Sequence, residues 1–94
     1  MLIEALLARG RWAARSEKDI HLALTDLPEA LEQAVAGGFR VYEADIRIAL
    51  AWAHLGSNDL VAGLAEAQRA QLMSQEMGYH WGEVDATEVI SKLK

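Results

Sequence analysis

Slid along itself by 40 residues, the sequence falls into register without a gap. Trp12-Ala13 lands on Trp52-Ala53, Asp19 on Asp59, Leu24 on Leu64 and Ala30 on Ala70. Gly38 then meets Gly78, Glu43 meets Glu83, Asp45 meets Asp85, and the aromatic Phe39 meets Tyr79. Eight identities are few for an alanine-rich chain, but they fall on helix ends, a small-residue contact and an aromatic. Recurrence at such a period is the signature of stacked supersecondary units, each unable to bury its apolar face alone. The expected organisation is a single domain over 1–94, with units 1–40 and 41–80 and a capping helix within 81–94.

Each unit reads as two helices joined by a short turn. Ile46, Ala49, Leu50 and Ala53 recur at helical spacing, and so do Leu60, Gly63, Leu64, Ala67, Ala70 and Met73. Gly56-Ser57-Asn58-Asp59 separates the two runs, with Ser57 or Asn58 as the expected N-cap. The first unit follows the same plan, with a capping-box-like start at Ser16-Glu17-Lys18-Asp19. Five helices are therefore expected, over 2–15, 19–36, 42–55, 59–77 and 83–93. Pro28 interrupts the second. A proline inside a helix removes one hydrogen bond and crowds the preceding turn, at about 3 kcal/mol. A restart capped by Thr25 or Asp26 and a single helix both fit; the repeat favours the single helix, because Gln68 stands at the matching place in an unbroken segment.

Composition agrees with close-packed helices. Of the 94 residues 52% are hydrophobic but only 6% aromatic, and the excess is 17 alanines and 13 leucines. Alanine has the highest helix propensity and lets helices approach closely. There is no cysteine, which excludes disulfides and thiolate metal sites. A net charge of −5 argues against nucleic acid, which needs a basic stripe. The small cluster Arg9, Arg11, Arg15 and Lys18 is offset by Glu4 and Glu17, and reads as a solvated helix face. No run is long and apolar enough for a transmembrane helix, and Glu4 stands where a signal peptide needs basic residues. A soluble, cytoplasmic protein is the expectation.

The spacing of small residues carries a resemblance. Ala23, Leu27 and Ala30, then Gly63, Ala67 and Ala70, follow the spacing that the second helix of a tetratricopeptide (TPR) unit carries, a small residue, a larger one four later and an alanine three after that. The chain resembles a TPR-like helical repeat over nearly its whole length. It departs from the family in its period, 40 rather than 34, and in lacking a proline after the second helix. Gly37-Gly38-Phe39-Arg40-Val41-Tyr42 and Gly78-Tyr79-His80-Trp81-Gly82 connect the units instead. In these departures it is similar to divergent units in bacterial regulatory proteins, especially the C-terminal arrays of large signalling ATPases. The resemblance implies an all-α, antiparallel helix-pair solenoid whose first helices line a concave face. It also implies a scaffold that binds a protein or peptide, with no cofactor.

On that reading Glu43, Arg47, Ala51 and His54 form the expected groove, and Glu83, Thr87 and Ser91 continue it. The plainer reading is the solvated side of an amphipathic helix. Trp12 and Trp52 are expected to pack between helices, whereas Trp81, in a connector, is free to touch a partner. No catalytic or metal-binding spacing is present: His21, His54 and His80 lie on three segments, and Gly37-Gly38 follows a helix with no Gly-Lys-Ser/Thr after it. The paired acids Glu43/Asp45 and Glu83/Asp85 suit helix N-termini. An enzyme is not expected. Leu2, Ile3, Leu6 and Leu7 make the first helix apolar on more than one side, an open end to be covered by preceding repeats of a longer protein or by a second copy. The alternative is a small self-associating helical bundle with a small-molecule or peptide pocket between helices.

Overall fold

The computed structural model describes residues 20–94, which form four α-helices and no strand. These are α1 (Ile20–Gly37), α2 (Arg40–Gly56), α3 (Leu60–Met77) and α4 (His80–Leu93). The expected helix over 2–15, the Ser16–Asp19 cap, Trp12 and the apolar end Leu2, Ile3, Leu6 and Leu7 lie outside the described residues. Both bounds of α1 recur in α3 at an offset of 40, and so does the start of α2 in α4.

The same chemistry ends the first three helices. Gly38 and Gly78 both sit at φ 70, and Asn58 at φ 65, in the left-handed region. Around Gly78, its own N–H reaches Gln75 O at 3.2 Å and the Tyr79 N–H reaches Ser74 O at 2.8 Å. Gly38 and Phe39 repeat those bonds to Val35 O and Ala34 O, and Asn58 and Asp59 repeat them to Leu55 O and His54 O. This paired closure satisfies carbonyls that a helix end otherwise leaves unbonded. Asn58 therefore closes α2, and the N-cap of α3 is neither Ser57 nor Asn58 but Asp59, whose carboxylate accepts from the Ala62 N–H at 3.3 Å.

Two other expectations need correcting. Helices α2 and α4 begin at Arg40 and His80, two and three residues before the expected starts at 42 and 83. Their N-cap residues, Phe39 and Tyr79, make no side-chain cap bond. The connectors shrink to Gly38-Phe39 and Gly78-Tyr79, and Trp81 belongs to the first turn of α4 rather than to a loop. Pro28 lies inside a single helix, α1, and no restart occurs.

Each helix packs on the next, and α2 also touches α4, while α1 and α3 do not touch. Between α1 and α2 the buried residues are Ala23, Leu27, Ala30 and Ala34 against Ile46, Ala49, Leu50 and Ala53. Ala51 joins Ala67, Val89 and Leu93, and Ile48 joins Ala70 and Ala86. Half-buried Trp52 touches all three of these clusters and ties them together. The packing is close because the residues are small. A Cβ built on Gly63 would lie 3.3 Å from the Ala51 carbonyl oxygen and 3.3 Å from His54 Cβ. Larger fully buried side chains are few: Leu27, Ile46, Met73 and Val89. Each contributes roughly 1.5–3 kcal/mol by leaving water.

Candidate interaction surfaces

The stripe Glu43, Arg47, Ala51 and His54 runs down α2, and α3 lies over it. Arg47 donates from Nε to Glu43 Oε2 at 3.1 Å and from the guanidinium tip to Glu66 Oε1 on α3 at 2.7 Å. The three side chains are only 14–21% exposed. Ala51 is fully buried, and His54 is half-buried beside Gly63. The spacing that placed these residues on one face is correct, and the structure brings Glu43 and Arg47 together. What it adds is Glu66, 19 residues beyond Arg47, which no helical periodicity connects to it. The stripe is a bridge between two helices of one unit.

Helix α4 is the counterpart of α2, and among the described residues no helix covers the corresponding stripe. Thr87 stands where Arg47 stands in α2. Its hydroxyl donates to Glu83 O at 2.8 Å and accepts from Gln71 Nε2 at 3.1 Å, and it remains exposed. Ser91 replaces Ala51 and donates to Glu88 O at 2.6 Å. Trp81 is 67% exposed and touches the His80 ring edge-on, with centroids 5.3 Å apart. Val84, 42% exposed, is on the same side of the helix.

The α2–α4 contact has a polar clasp at its N-terminal end. The Tyr79 hydroxyl donates to Asp45 Oδ1 at 2.9 Å. One repeat earlier the aromatic is Phe39, without a hydroxyl, and the residue 40 before Asp45 is Ala5, without an acceptor. Donor and acceptor are thus present together or absent together in the sequence. Phe39 instead meets Tyr42 edge-on at 6.3 Å.

The charge is uneven along the chain. Residues 20–94 carry eleven Asp/Glu and five Lys/Arg, a net −6, while residues 1–19 carry three against four, a net +1. Among the described residues no group of three or more His, Cys, Asp or Glu could hold a metal ion, and no helix is long and apolar enough to cross a membrane. No family model matches the chain, and neither a curated protein nor a solved structure matches it.

Proposed function

We propose that the chain is a protein–protein interaction scaffold of TPR type, a module of a larger regulatory or signalling protein. The observation that carries this reading is the recurrence of helix bounds and left-handed closures at an offset of 40 residues. Repetition of that kind builds an extended surface by stacking rather than a single enclosed site. The partner is a protein or peptide.

Of the proposed contact residues, Glu43, Arg47 and His54 already serve the α2–α3 junction, so partner contact falls to the side of Trp81 and Thr87. Panning the immobilised full chain against a displayed library of helix-forming peptides tests the reading. The expected result is an enriched consensus whose binding is lost with Trp81→Ala or Thr87→Ala. Failure to enrich any consensus, or one insensitive to both variants, overturns it.

A further inference from the structure

The molecule contains its own template for what α4 can receive. On α2, the face carrying Val41, Ala44, Asp45, Ile48 and Trp52 meets the next helix of the same sense through Asp45, Ile48 and Trp52, while Val41 stays exposed. Ile48 and Trp52 pack on Ala86 of α4, and Asp45 accepts the Tyr79 hydroxyl. A shift of 40 residues turns that face into Trp81, Val84, Asp85, Glu88 and Lys92 of α4. Its first two turns keep the acceptor and add open apolar surface: Asp85, the counterpart of Asp45, is exposed with no partner among the described residues, and Trp81 and Val84 are exposed apolar groups. Its last two turns lose that character, because Glu88 and Lys92 replace Ile48 and Trp52.

We propose that the first two turns of α4 (Trp81, Val84 and Asp85), with Glu88 at their edge, form a docking face for a basic amphipathic helix of a partner protein. This deepens the scaffold reading and rests on it. The occupant lies parallel to α4, as α4 lies on α2. It sets small apolar residues on Trp81 and Val84 and offers Asp85 a tyrosine hydroxyl or a basic side chain. Charge selects the occupant. Glu83, Asp85 and Glu88 make this end of α4 acidic, and the basic residues Lys92 and Lys94 sit at its far end. A second copy offering its own α4 would bring the same three acids against them, and like charges in contact disfavour that pairing.

The test uses the full chain labelled with 5-fluorotryptophan, whose Trp12, Trp52 and Trp81 give three fluorine resonances. The probe is a peptide of residues 78–93 carrying Glu83→Lys and Glu88→Lys. It keeps Tyr79 and the apolar face that α4 sets on α2, but is basic. The expected result is a saturable shift of the Trp81 resonance alone. Affinity then falls about threefold to tenfold when Asp85→Ala is made in the chain or Tyr79→Phe in the probe, the range for one hydrogen bond. A shift at Trp52 or Trp12 means the probe binds elsewhere; it overturns this face while leaving the scaffold reading intact. No shift at millimolar probe overturns the proposal and leaves the library result to stand by itself. A Trp81 shift that follows chain concentration without probe makes a second copy the occupant and also overturns it.

Discussion

The hydroxyls of Ser74 and Tyr79 make opposite demands. Ser74 Oγ is fully buried with no hydrogen-bond partner, facing Gly82, where a Cβ would collide with it. A buried hydroxyl without a partner costs free energy that an apolar group of similar size does not. The repeat counterpart of Ser74 is Ala34, equally buried. Ser74→Ala is therefore expected to stabilise the fold by about 1 kcal/mol, read as a higher urea midpoint with unchanged slope. A lower midpoint would mean that the hydroxyl has a role in holding α4. Tyr79→Phe should act in the other direction. It removes the bond to Asp45 and leaves a ring that Phe39 already fills one repeat earlier, so the loss is about 0.5–1.5 kcal/mol. The same denaturation measurement reads it, and Asp45→Ala, which removes the acceptor, should abolish most of the difference between Tyr79 and Phe.

For whole helices, the order and kind of the described elements were legible in the sequence, because apolar spacing and the repeat pointed to the same segments. The starts of α2 and α4 were not. Sequence rules find a helix start through Ser, Thr, Asp or Asn at the N-cap, and here Phe39 and Tyr79 occupy that place with no side-chain bond. The closure of the preceding helix fixes the chain direction instead, which is why α4 takes in Trp81. The stripe on α2 was legible as a face but not as a junction, since its partner Glu66 comes from another helix. Arg47→Met is expected to cost about 1–3 kcal/mol, because it removes two charge-assisted bonds and leaves two carboxylates facing each other. Screening weakens that repulsion, so the deficit should shrink between 0.05 and 1 M salt, on the order of the change in Debye length. A deficit independent of salt would show that packing, not charge, is what Arg47 contributes. Pro28 gives the opposite expectation. It is exposed and cannot donate to the Leu24 carbonyl, so Pro28→Ala should stabilise by about 1–2 kcal/mol after allowing for the greater freedom of the unfolded chain. Thermal unfolding followed by circular dichroism reads this, and a lowered midpoint would count against an otherwise regular helix at that point.

At the scale of the molecule, residues 20–94 are held together by contacts between helices near one another in the chain. Every helix meets its successor, α2 meets α4, and α1 and α3 do not touch. The hydrogen bond from Tyr79 to Asp45, which joins α2 to α4, spans 34 residues. That has a kinetic meaning. Among the described residues, packing partners lie on successive or next-but-one helices, so little loop entropy must be lost before a contact is rewarded, and helical proteins with such local contacts fold in microseconds to milliseconds. Temperature-jump relaxation watched through Trp52, the residue that joins all three clusters, should therefore be complete within about a millisecond near the midpoint. Such a chain reaches its own shape well before a dilute second molecule could meet it.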